Sequence, residues 1–408
     1  MAEVVLSLML MLLLALLARP LAERMRLPFS AVLVVIGFIG SELMIHFGGD
    51  TGVRAELFHD LVFFVFLPIL IFESAFVIDA EMLWKNLAAT LILAIPILLF
   101  STFVTGALIY WGIAHPDGFP WIAALLAGAL LSATDPVAVV ALARRSGAPK
   151  RLVTLLEGES LFNDATAIVV FGIFLSIASM PEQPVSFGTA AMEFSIVFFG
   201  GTIIGILVAL LTVLLLRAFE DPTTQGIISV ISAYCAFIAA EHYLHVSGVM
   251  AVLALGLVVG RLIRADYEKG GFVERLWELA GFVANSLVFL LMGVTITLAM
   301  FEQRWLAILI GIAGVLVARA AGMFALIPLA NRFTPQAPID WRYQAVLFWG
   351  GLRGAVTLAL ALSIPVSLDY WWTIQSIAFG VVVFTLFVQA PTMPWLLRRL
   401  ALRDSDRS

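Results

Sequence analysis

Long apolar stretches, separated by short polar breaks, run along almost the whole chain. A helix that crosses a bilayer needs about 20 mostly apolar residues, and thirteen stretches of roughly that length can be marked. The pattern therefore predicts thirteen membrane-spanning helices. These spans cover residues 4–19, 28–47, 58–78, 87–114, 121–143, 153–180, 190–217, 225–243, 246–264, 275–300, 305–331, 342–364 and 372–397.

Composition strengthens this assignment. Apolar residues make up 62% of the 408 residues and charged residues 12%, whereas soluble domains are about 45–50% apolar and about 25% charged. We therefore expect an all-α polytopic membrane protein with one transmembrane domain over residues 1–400, followed by a short cytoplasmic tail at 401–408. The single cysteine excludes an internal disulfide framework.

The basic residues predict how the chain is oriented. Positively charged loops stay on the cytoplasmic side of a membrane. If the N-terminus lies outside, 19 of the 23 Lys and Arg residues fall on inner connections, and only Arg54 and Arg304 fall on outer ones. The other two, Arg319 and Arg353, lie within spans. This distribution predicts a cytoplasmic C-terminus.

Two aspartates are predicted to lie near the middle of neighbouring spans. An ionisable group at the bilayer centre costs about 2.5–3.5 kcal/mol on insertion scales and usually lines a water path, an ion site or a proton relay. At ~1.5 Å of rise per residue, Asp135 lies ~21 Å below the outer end of span five, and Asp164 ~17 Å above the inner end of span six. The two carboxylates can therefore face one water-accessible site that holds a proton or a cation.

Two spans are predicted to be broken at this depth. Pro136 removes an amide donor and disfavours helical geometry at Asp135. Glycines at 350, 351 and 354, around Arg353, indicate a similar break in span twelve. Spans five and twelve run in opposite directions, as inverted-topology repeats with discontinuous crossing helices require. The layout places these repeats at approximately 58–180 and 275–397.

Other functions find less support in the sequence. An intramembrane aspartyl protease would also use two membrane aspartates, but a GxGD motif is absent and proline and asparagine stand beside the aspartates. A repeated filter, which a channel would need, is not visible. A phosphate-binding loop for ATP-driven pumping and a basic stripe for nucleic acid are also missing.

Five sequence motifs stand out within or beside the predicted spans. They are FLPILIFESAF at 66–76, SATDPVAVV at 132–140, GESLFNDATAIVV at 158–170, FVANSLVFLLMG at 282–293 and GGLRGAVTLALALSIP at 350–365. Together they resemble the monovalent cation/proton antiporters, specifically the sodium/proton exchangers with an Asn-Asp pair. The resemblance implies a secondary active antiporter that exchanges Na+ or Li+ for H+, a homodimer in a prokaryotic cell membrane, a core domain and a separate dimerisation domain. It implies no cofactor beyond the transported ions.

The same resemblance assigns the ion site residue by residue. Asp164 matches the essential ion-binding aspartate and Asn163 its partner in the pair. Asp135 and Thr134 match the unwound segment, and Ser160 matches a hydroxyl that helps to ligate the ion. The expected Na+ ligands are therefore Asp164, Asp135, Ser160 and Thr134.

Four further charged positions are candidates for places around this site. Glu73 matches an acidic residue that lines it, and Glu159 matches one that pairs with an arginine. Arg319 and Arg353 lie at similar depths, ~18 Å and ~17 Å from the inner boundary, so both remain candidates for that ion pair.

The asparagine of the pair bears on stoichiometry. The presence of Asn163 in place of a second aspartate resembles the motif of the exchanger branch that is associated with electroneutral exchange of one cation for one proton. A carboxylate that loads either one proton or one monovalent cation carries the same net charge in both crossings, which is compatible with that stoichiometry. Exchange of K+ for H+ by the same fold stays open at this point.

Overall fold

The computed structural model describes residues 2–25, 27–46, 60–113, 118–179, 186–263, 271–332, 338–400 and 402. Most of the predicted tail at 401–408 lies outside these residues, as do the ends of several predicted spans at positions 47, 58–59, 114, 180 and 264. Within the described ranges the chain is helical and contains no strand.

We number the helices of the described residues in chain order. They are α1 Ala2–Met25, α2 Phe29–His46, α3 Leu61–Val77, α4 Ala80–Lys85, α5 Leu87–Gly112, α6 Trp121–Leu130, α7 Val137–Arg145, α8 Lys150–Ser179, α9 Phe187–Ala218, α10 Pro222–Tyr243, α11 Gly248–Ile263, α12 Phe272–Thr295, α13 Leu298–Ala330, α14 Trp341–Trp349, α15 Ala355–Leu362 and α16 Trp371–Arg399.

The predicted spans coincide with these helices, and the all-α polytopic fold class is confirmed. Seven helices, α5, α8, α9, α10, α12, α13 and α16, are long and apolar enough to cross a membrane, while α2, α3, α6 and α11 are shorter apolar helices. Span five corresponds to the pair α6 and α7, and span twelve to the pair α14 and α15. The short helix α4 lies between two spans.

Side-chain caps fix several helix starts at the polar breaks of the sequence. At the start of α10, the Asp221 carboxylate accepts a hydrogen bond from the Thr224 amide at 2.7 Å. At the start of α14, the Asp340 carboxylate accepts one from the Tyr343 amide at 2.9 Å. Such caps satisfy amides that have no partner within the helix. The backbone amide and hydroxyl of Thr224 also hold the pKa of Asp221 below its usual value, because both donate to the carboxylate.

The helices pack in two groups. One group contains α5, α6, α8, α13 and α16, and the other contains α2, α3, α9, α10, α11 and α12. In the second group α2 and α12 approach closely, because a Cβ on Gly37 or Gly293 would strike the backbone of the facing helix. Helix α8 touches α9 and α11 and so joins the two groups. The assignment of inverted repeats to 58–180 and 275–397 stays a prediction.

Candidate ion-binding site

Both predicted helix breaks are present. Helix α6 ends at Leu130 and α7 begins at Val137, and the backbone between them is non-helical around Thr134 and Asp135. Helix α14 ends at Trp349 and α15 begins at Ala355. Unwound backbone is tolerated at membrane depth where it is buried in protein or lines a cavity. These segments therefore mark the place where a site can be built.

The two breaks are bonded to each other. The Asp135 amide donates to the Leu352 carbonyl at 2.8 Å, and the Arg353 guanidinium donates through Nη1 to the Ala133 carbonyl at 2.7 Å. The Arg353 amide donates to the Thr385 hydroxyl at 3.2 Å. Each unwound segment thus satisfies backbone groups that the other leaves without a helical partner.

Close approach explains two of the glycines at the second break. A Cβ on Gly354 would overlap the Asp135 carboxylate, and a Cβ on Gly351 would overlap the Arg319 guanidinium. Both residues therefore let a charged side chain lie directly against the backbone. The glycines identified in the sequence as helix breakers also act as contact points.

The Asp135 carboxylate lies between the starts of two half-helices. Its Oδ1 accepts the Val137 amide of α7 at 3.0 Å, and the Ala355 amide of α15 also donates to this carboxylate. Helix N-termini carry partial positive charge and favour a neighbouring anion. The two broken helices are therefore arranged to hold a negative charge at this position.

Helix α8 supplies the opposite face of the site. The Ser160 hydroxyl donates to the Thr134 carbonyl, and the Asn163 side-chain amide donates to the Thr134 hydroxyl at 3.1 Å. Asn163 is buried, and its Oδ1 has no hydrogen-bond partner among the described residues. These contacts fix the unwound segment against the helix that carries Asp164.

A buried ion pair lies beside the predicted site residues. Arg319 Nη2 lies 2.8 Å from Glu159 Oε1 and donates to the Leu347 carbonyl at 2.8 Å. Of the two arginines that the sequence left open, the structure therefore pairs Arg319 with Glu159, while Arg353 bonds the unwound segment of span five. Depth alone could not separate them, because the two arginines differ in the direction that they face.

A cavity of about 500 Å³ brings the predicted ligands together. Both aspartates are half-buried at its wall, so solvent reaches them. An ion pair joins the exposed Arg144 to Glu157, and both residues line the cavity. The predicted site residues in its wall are Glu73, Thr134, Asp135, Ser160 and Asp164.

The remaining predicted residues lie around this cavity rather than in its wall. Asn163, Glu159 and Arg319 are buried behind it. Arg353 lines a second cavity of about 630 Å³, which also contains Asp135. The structure therefore separates the predicted residues that line the first cavity from those that are buried beside it or line the second.

Two further polar residues at the cavity are not among the predicted site residues. Asn285 lines both cavities. Glu157 is paired with Arg144 at the cavity wall. The only signal for Asn285 was a polar residue in an apolar span, and such residues often serve packing.

Comparison with known proteins identifies the family. A model of the family described as "Sodium/hydrogen exchanger, transmembrane" matches residues 10–399. The chain belongs to this family. This exchanger is therefore an integral multi-pass membrane transporter and not a membrane protease.

Relatives and a solved structure agree with that assignment. The exchanger is 35% identical over 388 residues to the Na+/H+ antiporter ApNhaP of Aphanothece halophytica, a match that covers 92% of this chain and 70% of the relative. It is 36% identical over 398 residues to the low-affinity Na+/H+ antiporter NhaS1 of Synechocystis, with the same coverage of each chain.

The solved structure of the sodium proton antiporter MjNhaP1 from Methanocaldococcus jannaschii superposes with a TM-score of 0.82, covering 98% of this chain and 99% of that chain at 20% identity. This similarity confirms the expected fold.

Proposed function

We propose that this exchanger transports Na+ or Li+ in one direction and H+ in the other, one for one, with cation and proton competing for Asp164 and Asp135. The observation that supports this most strongly is the single cavity whose wall contains both half-buried carboxylates. The named activities of the relatives point the same way.

The proposed ligands suit a small alkali-metal ion. Asp164 and Asp135 offer carboxylate oxygens, and Thr134 and Ser160 offer neutral oxygens in the same cavity wall, which is the hard donor type that such cations prefer. Because the Ser160 hydroxyl donates its proton to the Thr134 carbonyl, its lone pairs remain free to face an ion. Glu73 adds negative charge to the path that a cation would take to this site.

Competition for the same carboxylates would couple the two fluxes. A site that carries uncompensated charge is expensive to move through a low-dielectric region. Binding of either one proton or one monovalent cation neutralises one negative charge of the site. The exchanger would therefore change conformation when its site is loaded, and the site would carry the same net charge in both directions.

The basic residues near the cavity fit an inward-open state. The lining includes the exposed Arg144, which Arg145 and Lys150 follow in the sequence, and basic ends of spans face the cytoplasm. The same rule places the N-terminus outside and the C-terminus in the cytoplasm, and we assign the protein to a prokaryotic cell membrane.

Alternating access would then arise from relative movement of the two helix groups, since the cavity wall takes α3 and α12 from one group and α8 from the other. We expect the protein to act as a homodimer. Arg353 bonds the two breaks to each other, and the Glu159–Arg319 pair joins α8 to α13 and to the Leu347 carbonyl of α14. We therefore assign these three residues structural roles that keep this half of the wall rigid during the movement.

Transport in proteoliposomes tests the proposal. Adding Na+ or Li+ outside vesicles with an imposed pH gradient should dissipate the gradient, and Asp164→Asn should abolish the response because an amide cannot cycle a proton. Asp369→Asn is the matched control, since Asp369 is exposed and lines neither cavity.

A normal response in Asp164→Asn would overturn the assigned role. A response to K+ in place of Na+ and Li+ would change the substrate, and strong dependence of the rate on a clamped membrane potential would contradict the 1:1 stoichiometry.

A further inference from the structure

Thr357 lies at the cavity without a role in the site described so far. It is the third residue of α15, fully buried, and it forms part of the wall that contains Asp135 and Asp164. Its hydroxyl oxygen has no hydrogen-bond partner among the residues that the structure describes. A buried hydroxyl in this position costs free energy unless another state of the protein supplies a partner.

The local backbone explains why the hydroxyl is unpartnered. Two other buried threonines donate to the carbonyl four residues earlier, Thr166 to Phe162 and Thr212 to Val208, each at 2.7 Å. For Thr357 that carbonyl belongs to Arg353, which lies in the helix break. The break therefore removes the usual acceptor.

Helix α15 begins beside the proposed ion site. Gly354, which immediately precedes α15, lies against the Asp135 carboxylate. The helix packs against α8, which carries Asp164. The start of α15 is thus close to both proposed acidic ligands.

We propose that Thr357 Oγ1 is a further ligand of the transported monovalent cation. The first broken helix contributes Thr134 and Asp135, and the second would contribute Thr357, so that the cation is held by both crossing segments. A bound cation would give the hydroxyl oxygen the partner that it lacks among the described residues.

The inference rests on the proposed cation/proton exchange and makes a narrower claim. A threonine hydroxyl is neutral and does not exchange a proton in the range where carboxylates titrate. Loss of Thr357 Oγ1 should therefore weaken the cation side of the cycle and leave the proton side intact. A merely structural residue would affect both sides through the maximal rate.

Three variants test this claim by Na+-dependent exchange in proteoliposomes. Thr357→Val removes the hydroxyl and keeps the shape of the side chain, while Thr357→Ser keeps the hydroxyl. Thr90→Val is the matched control, because Thr90 is also fully buried with an unpartnered hydroxyl but lines neither cavity.

We expect Thr357→Val to raise the Na+ concentration for half-maximal rate about tenfold, the effect of losing one polar contact. At saturating Na+, the maximal rate of Thr357→Val should stay within about twofold of that of the unmodified protein at each pH measured. Thr357→Ser and Thr90→Val should keep the half-maximal Na+ concentration within the same twofold range. If Thr357→Val does not fold, the same result is expected of Thr357→Ala.

The ligand role is overturned if Thr357→Val, or Thr357→Ala in its place, leaves the half-maximal Na+ concentration unchanged or lowers only the maximal rate. It is also overturned if Thr357→Ser behaves like Thr357→Val. If the unmodified protein shows no Na+-dependent exchange, the proposed function itself fails. The two failures are therefore distinguishable.

Discussion

At the scale of single residues, burial of the Glu159 and Arg319 charges has a large free-energy cost. Their side chains are 2% and 8% exposed. Removing two charges from water is expensive, and only their mutual attraction and further hydrogen bonds compensate for it. The bond from Arg319 to the Leu347 carbonyl supplies part of that compensation. The pair is therefore stable only while both members are present.

Breaking this pair should destabilise the protein strongly. We expect Glu159→Gln to lower the free energy of unfolding by about 3–5 kcal/mol, because it leaves a buried guanidinium without its counter-charge. The control is Glu81→Gln, which breaks the exposed pair of Glu81 and Lys85 on α4 and should leave stability nearly unchanged. Thermal denaturation in detergent measures both, and equal shifts would contradict the argument.

At the scale of helices, the two breaks work as one unit, because each uses the other's backbone as its hydrogen-bond partner. Gly354 is the tightest point of this unit, since no Cβ fits between its backbone and the Asp135 carboxylate. Any larger residue must displace either α15 or the acidic ligand.

Gly354→Ala should therefore reduce the maximal exchange rate at least about tenfold, since misplacing a functional group by about 1 Å is enough for such losses. Gly172→Ala is the control, because a Cβ on Gly172 meets nothing within 4 Å. That substitution lies within α8 and should stabilise the helix by about 0.5–1 kcal/mol. Normal transport by Gly354→Ala would show that the close approach is not required.

The helices and their breaks were predictable because their causes are local. Apolar length predicts a span, and Pro136 or a cluster of glycines predicts an interruption. The contact between the Asp135 amide and the Leu352 carbonyl was not predictable, because it joins distant parts of the chain. Depth along a helix also says nothing about the direction of a side chain, so it could neither choose Arg319 over Arg353 nor place Asn285 at the cavity.

At the scale of the whole molecule, the cavity lies where the two helix groups meet. Val137, at the start of α7, is 53% exposed and lines both cavities. If the structure is the inward-open state, this residue should be reachable from the cytoplasm and not from outside.

Thiol labelling tests the orientation. Cys235 is the only cysteine, so Cys235→Ser gives a cysteine-free background in which to introduce Val137→Cys. A membrane-impermeant thiol reagent should label this variant in inside-out vesicles and much less in right-side-out ones. Val346→Cys, at a fully buried position, should resist labelling from both sides. Preferential labelling of Val137→Cys from outside would reverse the proposed orientation.

The central claim is that one carboxylate site binds either a cation or a proton. Titration calorimetry of the purified exchanger with NaCl, in buffers of different ionisation enthalpy, measures proton release directly. We expect about one proton to leave for each Na+ that binds, and Asp164→Asn to remove both the binding and the release. Na+ binding without proton release, or release that persists in Asp164→Asn, would contradict the account.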